Sequence, residues 1–254
     1  MRKQSLVVNL DFNMKFEVLA SGSRSNGYIL YNQKEALVLE AGVSLLKVKK
    51  ALDFNLKIIR GCLVTHSHSD HAKHIRQYAD AGIPVMAPGE VFDQPHHRYY
   101  SLSPGKGYKT GGFRIIPFRV SHDVPCFGYL IDHSNTGKIL FLSDTYLCEY
   151  VFPSLNQVII EANYADDILE ENIFRGEEHP SKQARLLLTH MELQTTKKVL
   201  MAQDLSKVLN IVLIHLSDKN SDEARFVREV SALTGKQVFA ARKGLTIQLT
   251  QKPF

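Results

Sequence analysis

The chain carries only three cysteines in 254 residues, Cys62, Cys126 and Cys148. Their number is odd and their spacing wide, which excludes a disulfide framework and fits a reducing, cytoplasmic setting. No apolar run approaches the ~18 residues that a membrane-spanning helix needs. Arg2 and Lys3 open the chain like a secretory leader, but Asn9, Asp11 and Asn13 interrupt the apolar segment a leader requires. Pro/Gly/Ser-rich linkers, low-complexity tracts and internal repeats are also missing from the sequence. One domain is therefore expected rather than two, and 44% hydrophobic residues supply its core.

Charge of one sign is in modest excess. The formal net charge is +5 and the isoelectric point about 9.0. Basic residues gather at Lys47, Lys49 and Lys50, at Lys106, Lys109, Arg114 and Arg119, and at Lys197 and Lys198. A solvated face accounts for such clusters as readily as a phosphate track. The sign suits an anionic substrate, but charge alone does not identify one.

The richest segment is Thr65-His66-Ser67-His68-Ser69-Asp70-His71, directly after the apolar stretch 58–64. A strand ending there leaves the polar side chains in a loop at a sheet edge. His66 and His68 are two apart, so in extended chain they point the same way. Asp70 and His71 fall where the chain turns into a helix. Imidazole nitrogen and carboxylate oxygen are ligands for zinc, manganese and iron. His122, Asp144 and His215 each follow an apolar strand as well, and a sheet edge is a rigid platform for a metal site.

The pattern predicts strands over 15–20, 27–31, 36–39, 56–65, 113–120, 127–131, 139–142, 158–162 and 211–214, with further strands in 239–249. Helices are expected from Ser44 to about Leu52, over 71–81 ending at Gly82, across most of 165–207, and over 221–234. This alone defines an α/β domain.

The motif resembles the signature of the metallo-β-lactamase-fold hydrolases. Ala20-Ser21-Gly22-Ser23 with Asn26 is similar to the family's first turn, and Val38-Leu39-Glu40-Ala41-Gly42 to its second-strand element, with Glu40 replacing aspartate. Ser121-His122-Asp123, Ser143-Asp144-Thr145 and Ile214-His215-Leu216-Ser217 resemble the later motifs, in order. Glu161-Ala162-Asn163-Tyr164 and His215-Leu216-Ser217-Asp218-Lys219-Asn220 add the features of its WalJ/YycJ-type DNA exonucleases. The resemblance implies a four-layer αββα sandwich over residues 14–254, with 1–13 as an N-terminal extension.

It also implies two divalent transition metal ions, zinc or manganese. His66, His68 and His122 would hold one, Asp70, His71 and His215 the other, and Asp144 would bridge them. Two divalent cations against two carboxylates and a hydroxide leave a charge of about +1, which favours an anionic phosphodiester and its transition state. The implied activity is phosphodiester hydrolysis by a metal-bridging hydroxide, with DNA as the leading substrate. Small or cyclic nucleotides are the alternative. RNase Z-like RNA processing fits less well, because a hairpin fills the interval where that enzyme's tRNA-gripping arm belongs. β-Lactam hydrolases present a cysteine where Asp144 stands, and thioesterases of this fold lack the motif contexts around His122 and His215.

Asp70 and His190 are the candidate catalytic residues. His190 lies between the fourth and fifth motifs, where related nucleases place a histidine that protonates the leaving oxygen. Glu192 departs from the pattern there: a hydroxyl residue is expected, and glutamate is a poor helix cap. His74 departs too, standing where the family has glycine, and is expected to pack rather than ligate. His96, His97, His133 and His179 have no motif context and are expected in solvent. Nucleic acid or a nucleotide is the expected partner, no membrane is involved, and both monomer and homodimer stay open.

Overall fold

Strand residues alternate between two apolar surroundings. Tyr28 and Leu30 join one buried cluster while Ile29 between them joins another. Ile139 and Phe141 join the first cluster, and Leu140 and Leu142 a third. Strands buried on both faces need cover on both. The computed structural model, which describes residues 13–251, meets that demand with two stacked sheets flanked by helices.

The first sheet contains β1 (Met14–Ala20), β2 (Gly27–Tyr31), β3 (Ala36–Leu39), β4 (Ile59–Leu63), β5 (Val85–Ala87), β6 (Tyr99–Ser101) and β14 (Thr246–Leu249). Their order is β14-β1-β2-β3-β4-β5-β6. The second contains β7 (Tyr108–Thr110), β8 (Phe113–Val120), β9 (Cys126–His133), β10 (Gly137–Leu142), β11 (Leu155–Glu161), β12 (Asn210–Ile214) and β13 (Gln237–Ala240), ordered β13-β12-β11-β10-β9-β8-β7. The cluster with Phe16, Tyr28, Phe113, Tyr129 and Phe141 lies between the sheets.

Outside the first sheet pack α1 (Leu45–Ala51), α2 (Ser69–Ala72) and α3 (Ile75–Asp80), through Leu45, Val48, Ala72, Ile75 and Tyr78. Outside the second pack α6 (Leu193–Ala202) and α7 (Glu223–Thr234), through Leu193, Val199, Leu200, Phe226 and Val230. Two more helices, α4 (Asp166–Phe174) and α5 (Pro180–Thr189), lie in the connection from β11. This is the expected αββα sandwich.

Strand direction gathers the site. β3 pairs parallel with β4, and β10 and β12 each pair parallel with β11. Within each sheet the carboxyl ends of these strands therefore share one edge, the position where open α/β sheets bind ligands. At the far end Glu35 joins the sheets: its carboxylate accepts from Gly112 N at 2.7 Å and His133 Nε2 at 3.1 Å.

Several expectations need correction. The helix expected over 71–81 breaks at His74, whose N–H donates to Ala41 O at 2.9 Å instead of continuing the ladder. The strand expected from 56 begins with a 3₁₀ turn, Leu56–Ile58. The short strands β5, β6 and β7 carry too little alternation to be predicted. His133 is buried at 3% exposure, not solvated, because it pairs with Glu35. The His96 side chain is also largely covered and lies 3.3 Å from Asp80. His97 and His179 are exposed, and His179 caps α5. The expected extension 1–13 lies outside the described residues except for Asn13, as do 252–254.

Candidate metal centre

Each predicted ligand sits just past a strand or within the first turn after one. Thr65 to His71 follow β4, His122 follows β8, Asp144 follows β10 and His215 follows β12. Glu161 ends β11 itself. His190 ends α5. All seven predicted ligands come together in two groups, His66 with His68 and His122, and Asp70 with His71, Asp144 and His215. A third group joins Asp144 and His215 to Glu161 and His190.

In the first group, His68 Nδ1 lies 3.3 Å from His122 Nε2. His66 Nε2 is buried with no hydrogen-bond partner among the described atoms. In the second, His71 Nε2 lies 3.1 Å from Asp70 Oδ2 and 3.3 Å from Asp144 Oδ1, and His215 Nε2 lies 3.4 Å from Asp70 Oδ2. Asp144 faces both groups: its Oδ1 approaches His71, and its Oδ2 lies 4.0 Å from His66 Nε2.

The far side of each ring explains the orientation. His66 Nδ1 donates to Thr65 Oγ1 at 2.9 Å, and that hydroxyl donates to Glu40 Oε1 at 2.8 Å. Glu40 Oε1 also lies 3.3 Å from His71 Nδ1. That buried carboxylate thus turns His66 Nε2 toward the centre through Thr65, and faces His71 Nδ1 without a hydrogen bond. His122 Nδ1 donates to Thr189 O at 2.8 Å, and His215 Nδ1 to Glu161 Oε1 at 3.1 Å. Metal-bound imidazoles are held in this way, by a carboxylate or carbonyl on the other nitrogen.

The charges are as informative as the geometry. Glu40, Asp144 and Glu161 are buried, and the Asp70 side chain is 18% exposed. Among the described residues only histidines come within ion-pair distance of these four carboxylates. Buried anions without lysine or arginine call for another positive partner. Burial opposes charge on His71 and His215, yet the nearby carboxylates, Asp144 foremost, raise both, His215 to about 10. Burial likewise opposes ionisation of Asp70 and Asp144, and the imidazoles more than reverse it, holding both carboxyls well below the usual range. His66 goes the other way, pushed down by its own burial and by His71. The donor set and the unpartnered Nε2 of His66 fit divalent cations.

Backbone geometry supports the loops. Gly42 must be glycine, since a Cβ there would lie 1.7 Å from Asp70 O and 2.8 Å from Asn26 N. Asn26 in turn donates from Nδ2 to Asp70 Oδ2 at 3.1 Å. Glu40 and His215 adopt left-handed φ values of 68° and 55°. Such values cost non-glycine residues about 1–3 kcal/mol and cluster at functional sites.

Two residues gained roles that sequence reasoning did not assign. Glu40 was visible only as a departure from the family pattern. Glu161 was visible only as part of a motif. Its Oε1 accepts from His190 Nδ1 at 2.7 Å and from His215, and its Oε2 accepts from Thr145 N and Met191 N, both at 3.1 Å. Burial opposes its ionisation, but His190 outweighs this and lowers its carboxyl. Glu192 is a correction: it does cap α6, accepting from Gln194 N and from Thr195 N at 3.2 Å. A cleft of about 230 Å³ opens over the centre, lined by His68, Asp70, Asp144, His190 and His215 among others.

The fold is that of the metallo-β-lactamases. A solved metallo-β-lactamase fold protein from Bacillus subtilis, YhfI, superimposes with a TM-score of 0.72 at 16% identity, covering 93% of this chain and 99% of that one. In sequence, the chain is similar to two curated bacterial proteins. It is 29% identical over 176 residues to the exodeoxyribonuclease YycJ of Bacillus anthracis, a match spanning 61% of this chain and 65% of that protein. It is 24% identical over 247 residues to the exodeoxyribonuclease WalJ of Streptococcus pneumoniae, spanning 88% and 87%. No family model matches the chain. Cys62, Cys126 and Cys148 are free and buried, and no helix among the described residues is long and apolar enough to cross a membrane.

Proposed function

We propose that the chain is a dinuclear metal-dependent phosphodiesterase that degrades DNA from an end, with residues 14–254 as its single domain. The observation that carries this reading is the set of four largely buried carboxylates whose ion-pair partners among the described residues are all histidines. Similarity to two exodeoxyribonucleases supports the choice of DNA.

In this reading His66, His68 and His122 would hold one ion and Asp70, His71 and His215 the other, with Asp144 placed between the two groups. Two divalent ions, zinc or manganese, supply hydroxide at neutral pH and a clamp on the phosphoryl oxygens when bound. Glu40 and Glu161 hold the rings from behind, so little reorganisation is needed during reaction. Asp70, the most exposed of the four carboxylates, is placed to accept a proton from the attacking water. His190 lines the cleft with Nδ1 committed to Glu161. Its Nε2 is then free to give a proton to the leaving oxygen.

The test is a substrate panel with added Mn²⁺ or Zn²⁺: end-labelled duplex DNA, single-stranded RNA, bis(p-nitrophenyl) phosphate and cyclic mononucleotides. DNA should shorten progressively from an end, and chelator should stop it. Cleavage of cyclic nucleotides without DNA would move the assignment to a nucleotide phosphodiesterase. Inertness toward every phosphodiester would end it.

A further inference from the structure

Beside the metal centre lies a second cavity, of about 590 Å³, lined in part by Arg119, Ser121, Tyr146, Leu147, Glu149 and Tyr150. We propose that this cavity binds a nucleobase of the strand being cut, stacked on Tyr146 and Tyr150; the proposal rests on the nuclease reading above. Its volume lies in the range of small-ligand sites.

Position is the first argument. Ser121 precedes His122, and Tyr146 lies two residues after Asp144. The two loops are joined there, with Thr145 Oγ1 donating to Ser121 O at 2.9 Å and Tyr146 N to the same oxygen at 3.3 Å. The cavity is thus built from the same two loops that carry His122 and Asp144. A strand with a phosphate at the centre has a base within reach of it.

Rigidity is the second. Tyr150 rests against Phe118, with ring centroids 5.2 Å apart, and near-parallel to Phe152 at 6.1 Å. It remains 46% exposed, so part of the ring is open to a ligand. The backbone beneath is fixed by Gln203, itself only 6% exposed, whose Nε2 donates to Tyr150 O at 2.8 Å and whose Oε1 accepts from Phe152 N at 2.9 Å. A tyrosine 46% exposed on a pinned loop is poised for contact at small entropic cost.

Charge is the third. One cation, Arg119, and one anion, Glu149, line the cavity, so its interior carries no net charge to draw in a phosphate group. A flat group with apolar faces and polar edges fits better. Arg119 is exposed and forms no ion pair among the described residues, which leaves it for the adjoining backbone phosphate. Aromatic platforms with a neighbouring cation are the common means of holding single-stranded nucleic acid.

The test uses the full metal-loaded protein and a short single-stranded DNA, either intact or abasic at the nucleotides flanking the first scissile phosphate. Tyr150→Ala should raise KM for intact DNA about 5- to 150-fold, the range expected for one stacked base. Tyr150→Phe, which keeps the ring, should restore it. On abasic DNA the loss should shrink, because the two changes remove the same contact. Binding of a phosphorothioate version, read by fluorescence anisotropy, should follow the same order. Equal losses on intact and abasic DNA would overturn the base site, as would unchanged binding by Tyr150→Ala. A dimer that Tyr150→Ala dissociates while DNA binding is unaffected would assign the patch to a second copy instead. If wild type binds the DNA but cleaves none, and Tyr150→Ala loses that binding, the nuclease reading fails and the base site stands.

Discussion

Replacing His190 by alanine should slow phosphodiester cleavage by roughly 10²–10⁴ while both metals stay bound. The ring is held by one strong contact, the 2.7 Å bond from Nδ1 to Glu161 Oε1. A hydrogen bond to a charged group is worth about 1.5–3 kcal/mol, so loss of the Glu161 charge alone should cost about 10- to 150-fold if the bond matters fully in the transition state. Glu161→Gln tests that share, but it perturbs more than His190. Glutamine offers one oxygen and one NH₂ where glutamate offers two acceptors. Either the two imidazoles or the amides of Thr145 and Met191 then face a donor. Two buried donors without an acceptor cost about 2–6 kcal/mol of stability. Melting temperature and metal content must therefore be read beside rate. The cleanest assay is a leaving-group series on His190→Ala: a nucleotide should show the full loss, and p-nitrophenolate, which needs little protonation, a small one. A loss independent of the leaving group would refute proton donation. A loss accompanied by release of metal would make His190 a ligand.

Metal analysis of protein purified without chelator should find up to two equivalents, and Asp144→Ala or His68→Ala should abolish cleavage with the circular-dichroism spectrum intact; activity within tenfold of wild type would exclude those ligands. Ions at 1,000 times their dissociation constant should stabilise by about 4 kcal/mol per site, so EDTA should lower the melting temperature by several degrees, and an unchanged value would argue against tight binding. Gly42→Ala should destabilise the protein by about 1–3 kcal/mol or more and weaken metal binding, because Asp70 O must move; a wild-type metal affinity would show that the loop adjusts freely. Glu35→Gln should destabilise at pH 7 and converge with wild type in acid. Burial opposes the Glu35 charge, but Gly112 N–H, His133 and Arg60 outweigh it and lower its carboxyl. A lowered folded-state pKa gives stability that is present above the unfolded value, about 4.3, and lost as pH falls through the folded one. Denaturant titration across that window checks the sign.

Much of this centre was legible because its ligands crowd into short motifs at strand ends. The His66 to His71 run, His122, Asp144 and His215 could each be tied to an apolar strand that delivers them. Three things were not legible. Short strands such as Val85–Ala87 lack the length for a period to show. Glu161 looks like any strand-end carboxylate until the partners from Thr145, His190, Met191 and His215 converge on it, and only the tertiary fold brings those together. His133 has no motif, and its burial follows from Glu35, in the turn between β2 and β3. Glu192 was misjudged because propensity ranks glutamate low as a cap, while here its carboxylate reaches the amides of α6.

The pairing of β1 with β14 sets a timetable for the chain during its synthesis. Met14 lies opposite Leu249 and Phe16 opposite Ile247, so the first described strand waits for the last. At about 5–20 residues per second, a ribosome needs roughly 10–50 s to bridge that interval. Throughout it β1 presents an open edge beside Met14, Phe16 and Val18, side chains that end fully buried. The nascent chain is therefore open to unwanted strand pairing at this edge until β14 has been made. Holding the β1 edge at that stage is a natural task for a chaperone.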